Sequence, residues 1–351
     1  MSYRVYQWAS GSVGRHVARA VVAREGLELV GLHVVQPEKN GQPVGDLIGA
    51  ECGDLQATND IAAVLDSDAD VVVHAPLASQ VYGDNPEQDL EDICALLAGG
   101  KNVITVVGFL YPTALGGDVA AQLRDACRAG GSSFHGTGLN PGWMGDLLPL
   151  GMSALSRRLD KIHVLEISNF QYYPSPEIMF GSMGFGATEA DFRADGERRK
   201  HWLDGLFTES VTLVADGLGL PLDEVRSEMD VALAERDLET AAGNVAAGTV
   251  AGQHWRWCGM RDGLERIVHE TVWRMHSDVA ADWPTGSHSV VLTGEPVIKL
   301  SLDGDYVSDG LQATAMHAVN AIPHVCVSPP GIRTLLDLPA IAGYGAFDQS
   351  T

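Results

Sequence analysis

Apolar residues fall in short blocks along the first 140 positions, and the blocks alternate in period. Val5 to Trp8 is a short, mainly apolar run, the next stretch carries Val17, Ala18, Val21 and Val22 on one helical face, and Leu27 to Val35 is mainly apolar again. Short continuous runs predict buried strands, and a repeat of three to four predicts an amphipathic helix. The rhythm then recurs: a short helix at Ile61–Leu65, a strand at Asp70–Pro76, a helix at Glu87–Ala98 closed by Gly99-Gly100, a strand at Asn102–Val107, a helix at Asp118–Arg128, and a strand at Ser132–His135. Strands and helices in alternation, joined by short connections, predict an α/β fold whose N-terminal domain is a doubly wound (Rossmann) parallel sheet. That domain is expected over residues 1–141.

Beyond Gly136 the segments lengthen. The pattern predicts a helix over Met144–Leu155, a strand over Ile162–Phe170 and two strands within Ser287–Leu302 joined at Gly294-Glu295. Between them, helices are expected over Arg198–Leu218, Leu222–Val231 and Val250–Met275, the last with a break at Gly259. Such a mixture predicts a C-terminal α+β domain for substrate and dimerisation over 142–310. A final helix near Leu311–Ala321 places 311–351 as a segment returning to the first domain.

The first connection carries chemistry. Ser10-Gly11-Ser12-Val13-Gly14 joins a strand to a helix, as a dinucleotide-binding turn does: Gly11 lets the backbone approach a pyrophosphate, Gly14 lets helix and strand pack closely, and the helix N-terminus favours an anion. Ala9 stands where such turns carry their first glycine, and a merely structural turn is the competing reading. The second strand ends without an acid at its tip and runs into Gln36 and Lys39, which favours NADP; Glu38 keeps NAD open. His74, Ala75, Pro76 and Val107 lie at carboxyl ends of strands, where ligands of these sheets bind. Asn140, within Gly136–Trp143, is expected beside the nicotinamide as a catalytic residue that hydrogen-bonds its carboxamide or the substrate, with an ordinary turn and helix cap as its alternative.

Aromatics, methionines and glycines bunch between Asn169 and Gly186, so Phe170, Tyr173, Met179 and Met183 are expected to line an apolar substrate pocket; a domain-interface core is the other reading. Proton transfer needs a titratable group, and Glu166, Glu177, His135, Tyr111 and Tyr173 are the candidates, Glu166 and Tyr173 foremost. Gln253–Trp257 has a local nucleic-acid look, yet in so acidic a chain it is expected to pack a helix or rim the pocket.

The net charge of -23, from 46 acidic and 23 basic residues, argues against nucleic-acid and anionic-membrane partners and leaves a small molecule as the natural ligand. The five cysteines have no metal-ligand spacing, the twelve histidines no metalloprotease motif, and no serine sits in a nucleophile elbow, so no metal is expected. No apolar run is long enough to span a bilayer and the chain enters a strand at once, so a cytoplasmic, soluble protein is expected.

WASGSVG (8–14), HAP (74–76), GKNVITVVGFLYP (100–112), HGTGLNPGWMGDLLP (135–149), YYPSPEIMFGSMGFG (172–186) and NAIPHVCVSPPGIRTLLDLP (320–339) together resemble the dihydrodipicolinate reductase-like oxidoreductases. Within them the chain is most similar to the branch of 2,4-diaminopentanoate dehydrogenase and the native amine dehydrogenases. The resemblance covers nearly the whole chain. It implies NAD(P)-dependent interconversion of an amine with a ketone and ammonia, a Rossmann domain followed by an α+β domain, and a homodimer. The chain lacks the paired histidines and the Lys-x-x-Pro-Ser-Gly-Thr-like run of true dihydrodipicolinate reductases. It also has Val107-Gly108-Phe109 where amine dehydrogenases of this branch place a catalytic glutamate, which leaves proton transfer to a group such as Glu166 or Tyr173. An ammonia-independent ketone or alcohol oxidoreductase, and a non-catalytic NADP(H)-binding sensor, are the alternatives.

Overall fold

A computed structural model describes residues 2–347 of the chain, apart from positions 195 and 308. In chain order the first elements are β1 (Tyr3–Trp8), α1 (Ser12–Ala23), β2 (Leu27–His33), α2 (Val44–Ile48), α3 (Ile61–Leu65), β3 (Val71–His74), α4 (Ser79–Tyr82), α5 (Gln88–Ala98), β4 (Asn102–Thr105), α6 (Gly117–Gly130) and β5 (Ser133–Gly136). There follow α7 (Leu148–Ser153), β6 (Arg158–Asn169), α8 (Glu189–Ala194), α9 (Glu197–Gly217), β7 (Glu224–Leu233), β8 (Leu238–Thr240), β9 (Gly243–Val245), β10 (Val250–Arg261), β11 (Leu264–Arg274), β12 (His288–Glu295), β13 (Ile298–Leu302), α10 (Gly310–Cys326) and β14 (Gly331–Ile332). These form two compact units, Met1–Trp143 with Leu311–Thr351, and Met144–Gly310.

The first unit is built on a parallel sheet in the order β14-β5-β4-β3-β1-β2. Val71, Val72 and Val73 of β3 are wholly buried, as a strand covered on both faces must be. From β1 the chain moves outward to β2, then crosses to β3 on the other side of β1. That reversal of direction opens the crevice in which ligands of such sheets bind. β14 completes the sheet by pairing with β5 through Gly331 and Ile332.

The second unit holds a mixed sheet in the order β13-β12-β6-β11-β10-β7, in which β6 and β11 run parallel and the other pairs antiparallel. Here the helices expected at Leu222–Val231 and Val250–Met275 are replaced by strands β7, β10 and β11. Leu222, Glu224, Arg226, Glu228 and Met229 in the former segment favour a helix by propensity, but pairing along the length of β10 overrides so weak a preference. The break lies at Asp262-Gly263, not Gly259: both have positive φ (53° and 72°), which is the geometry of a two-residue hairpin turn. Likewise β12 and β13 turn at Pro296-Val297 rather than Gly294-Glu295, since both of the latter still pair with β6. The expected helix at Met144–Leu155 is regular only over α7, and α10 runs through Pro323 to Cys326.

Helix α9 packs on one face of this sheet. Phe207 stacks on Trp257 with ring centroids 3.9 Å apart, and Trp257 stacks on Trp255 at 5.7 Å. The Gln253–Trp257 stretch therefore does pack a helix, from a strand.

Candidate functional site

The dinucleotide turn is assembled by β1 and α1. Ala9 has φ 74°, the left-handed conformation that a glycine would take without cost. Its carbonyl oxygen points at the start of α1, where a Cβ on Gly14 would lie 2.1 Å away, so that position admits only glycine. Gly11 precedes α1 with no side-chain cap, and a Cβ there would meet nothing within 4 Å. The first-turn amides, including those of Ser12 and Val13, thus open onto a cradle with the charge preference of an anion site. Ser10 is buried, and Lys39 donates from Nζ to its Oγ at 3.2 Å. A cation is thereby brought from the segment after β2 to the turn itself, while Gln36 beside it is exposed. Close backbone, bare helix start and adjacent lysine fit the pyrophosphate and a phosphorylated ribose of a dinucleotide.

The strand ends beside the turn are filled by aromatic rings. Trp8 stacks on His33 with centroids 3.9 Å apart and lies 5.8 Å from His74. Burial pushes His33 down to about 4 and His74 down to about 3, so both are neutral near pH 7. His74 is wholly enclosed and its Nδ1 hydrogen-bonds Thr105 Oγ1 at 3.1 Å; Ala75 is buried and donates its N–H to the Trp8 carbonyl, and Pro76 is half-buried. Val107 is buried, and Gly108 and Phe109 turn through φ 121° and 57°. The Phe109 carbonyl lies against Gly136, where a Cβ would come within 2.2 Å of it. Val107-Gly108-Phe109 is therefore a tightly packed apolar bend.

Past β5, Thr137 Oγ1 hydrogen-bonds His317 Nδ1 of α10 at 2.7 Å, and His135 donates from Nδ1 to the Arg333 carbonyl at 2.7 Å. Burial lowers both histidines to about 4. Asn140 and Pro141 are extended and Gly142 has φ 127°, so Asn140 belongs to a bend rather than to a helix cap. Tyr111 is half-buried.

In the second unit, Glu166 accepts hydrogen bonds from Trp273 Nε1 at 2.8 Å and Ser168 Oγ at 3.1 Å. Its charge opposes the effect of burial on His288, whose pKa is lowered overall. Phe170 meets Tyr173 edge-on at 6.0 Å and Phe185 at 6.3 Å. Tyr173 and Met183 are half-buried, Met179 is wholly buried, and Glu177 is exposed. The structure thus brings together Phe170 and Tyr173, and buries Met179 completely instead of leaving it to line an open pocket. It also assembles an Asp146, Ser210 and His269 cluster that no sequence spacing announces. Ser210 Oγ donates to Asp146 Oδ1 at 2.7 Å and lies 3.4 Å from His269 Nε2. With the hydroxyl proton directed to the aspartate and all three groups enclosed, this is an internal brace rather than a nucleophile.

The sheet reversal, the turn and its lysine define a class: a Rossmann-type oxidoreductase fold of the NAD(P)-dependent kind. Residues 143–349 match the family of the 2,4-diaminopentanoate dehydrogenase C-terminal domain. The chain is 32% identical, over 95% of both chains, to an amine dehydrogenase of Streptomyces virginiae, and the chain belongs to this family. It is also 26% identical to a 2,4-diaminopentanoate dehydrogenase of Acetoanaerobium sticklandii, over 94% of this chain and 91% of that one. The fold matches a solved amine dehydrogenase from Mycobacterium smegmatis with a TM-score of 0.78, at 22% identity and over 97% of each chain.

Proposed function

We propose that the protein is an NADP(H)-preferring amine dehydrogenase that interconverts a small, mostly apolar amine with its ketone and ammonia. The observation that carries this reading is membership of the amine dehydrogenase family over nearly the whole chain, with an intact dinucleotide cradle at its start. In this reading residues 1–141 bind the cofactor, 142–310 bind substrate and dimerise, and 311–351 complete the first domain; the last four positions lie outside the described residues.

The backbone of Ser10-Gly11-Ser12-Val13-Gly14 holds the pyrophosphate. Lys39, beside Ser10 and near Gln36, pairs with the ribose 2′-phosphate. His74, Ala75 and Pro76 form the packed floor at the end of β3, and Val107 and Asn140 bound the nicotinamide end. When bound, the cofactor supplies the hydride. Phe170, Tyr173 and Met183 receive the apolar part of the substrate, while Met179 is buried. Glu166, which accepts from Trp273 and Ser168, or the Tyr173 hydroxyl takes the proton from an ammonium in this reading.

The apolar bend at Val107-Gly108-Phe109 favours a second reading, a ketone or alcohol oxidoreductase that uses no ammonia. NADPH consumption with a panel of aliphatic and cyclic ketones, run with and without excess ammonium, separates the two. Turnover that requires ammonium is the expected result. Turnover indifferent to ammonium replaces the first reading with the second, and NADPH binding without turnover of any carbonyl makes the protein a cofactor-binding sensor.

The protein is further proposed to work as a cytoplasmic homodimer with no nucleic-acid or membrane partner. The family resemblance, the charge of -23 and five cysteines without disulfides support this. Among the described residues no helix is long and apolar enough to cross a membrane. Sedimentation equilibrium is expected to give twice the chain mass of 37.3 kDa.

A further inference from the structure

Gln7 is a polar side chain at the centre of an apolar strand, with no accessible surface. Its Nε2 donates to two consecutive carbonyls, Trp8 O at 2.7 Å and Ala9 O at 3.0 Å. Consecutive carbonyls point to opposite sides of an extended strand, and they converge only when the residue between their peptides takes a helical hand. That residue is Ala9, and its φ of 74° is the left-handed form. The amide of Gln7 therefore grips the conformation that an alanine resists and that this kind of turn ordinarily obtains from glycine.

The grip bears on ligand binding through the geometry of a trans peptide. Its carbonyl and N–H point in opposite directions, so fixing one fixes the other. With the Ala9 carbonyl turned inward towards Gln7 and the start of α1, where a Cβ on Gly14 would lie 2.1 Å from it, the Ser10 N–H is turned the opposite way. That is the side on which an anion approaches the bare first turn of α1. The Ala9 N–H donates to the His33 carbonyl at 2.9 Å, so the bend is held from both ends.

We propose that Gln7 is a positioning residue for the dinucleotide: by holding Ala9 left-handed it sets the Ser10 N–H and the turn that receive the pyrophosphate, in place of the missing glycine. This rests on the reading of Ser10–Gly14 as a cofactor cradle.

The test is a coupling experiment on the full chain, reading the NADPH dissociation constant by fluorescence titration and stability by thermal unfolding. Gln7→Leu is expected to weaken NADPH binding about tenfold or more, since each lost hydrogen bond is worth roughly a factor of two to ten. In the Ala9→Gly background the same substitution is expected to cost only about twofold, because glycine keeps the turn unaided. A merely structural Gln7 would lower thermal stability equally in both backgrounds and show no such rescue. Equal NADPH affinity for wild type and Gln7→Leu, or an undiminished loss in the Ala9→Gly background, overturns the proposal. Should Gln7→Leu fail to fold alone, the Gln7→Met variant measured in both backgrounds makes the same comparison. Failure of the wild-type chain to bind NADPH or NADH at all overturns the cofactor reading together with this proposal, whereas wild-type binding with no coupling sinks this proposal alone.

Discussion

The ammonium of Lys39 donates to Ser10 Oγ at the turn, and in the proposed function its charge selects a phosphorylated ribose. A hydrogen bond to a charged group contributes about 1.5–3 kcal/mol. Lys39→Ala is therefore expected to weaken NADPH about tenfold to a hundredfold while changing NADH by less than about threefold, and Lys39→Glu to reverse the preference. Titration of each variant with both nucleotides checks this; equal losses for NADPH and NADH would remove Lys39 from the 2′ position. The sequence already held Gly14 and Lys39 in view, because a close approach that admits no Cβ and a lysine after the second strand both leave marks in the chain. Gln7 leaves none. A single polar residue in an apolar strand has no period, and its meaning lies in two carbonyls that only the folded turn brings to it.

Between α9 and the sheet of the second unit, the stability of one layer is concentrated in a few rings. Trp257 is wholly buried, stacks on Phe207 and donates from Nε1 to Asp204 Oδ1 at 2.9 Å. Trp257→Ala is expected to cost about 3–5 kcal/mol, seen as a lower denaturant midpoint for this unit, and Trp257→Phe distinctly less. An unchanged midpoint for the alanine variant would mean that this contact does not hold the layer. The strand that carries Trp257 lies where the apolar pattern predicts a helix, and the reason is general. Over Val250–Met275 apolar positions are dense enough to satisfy either period, while the Asp262-Gly263 pair, the strongest hairpin signal in the segment, is only two residues long. The first unit escaped this ambiguity: its strands are short, as in the buried Val71-Val72-Val73 of β3, and α1 buries Gly14, Val17, Ala18 and Val21 on one face.

Four histidines of the first unit, His33, His74, His135 and His317, are buried and neutral, with pKa values pushed down to about 3 to 4. In the unfolded chain each returns to about 6.5. Between these values the unfolded state binds more protons than the folded one, so stability is complete above pH 6.5 and falls as the pH drops towards 4. All four act in the same direction, so their effects on stability accumulate as the pH falls through that window. Thermal midpoints measured from pH 8 to pH 4 should decline steeply below 6.5; a flat profile would contradict the neutral assignment. Replacing His317 with Asn, which keeps a hydrogen bond for Thr137, is expected to shallow the decline.

What the chain determined by itself was local and periodic. The alternation of apolar runs and amphipathic faces over the first 140 residues dictates a parallel sheet with covering helices, because each period admits one way to bury its apolar side. The glycine turn, its missing first glycine and the lysine after β2 were legible for the same reason. Tertiary structure decided the rest. Strand pairing made β7, β10 and β11 out of segments where the apolar pattern predicts helices. Chain folding brought α10 back to lend His317 to Thr137, 180 positions away. The left-handed Ala9 depends on an amide that packs beneath it. Each of these rests on contacts between residues far apart in the chain or turned towards each other only by the fold, and a linear pattern carries no record of such meetings.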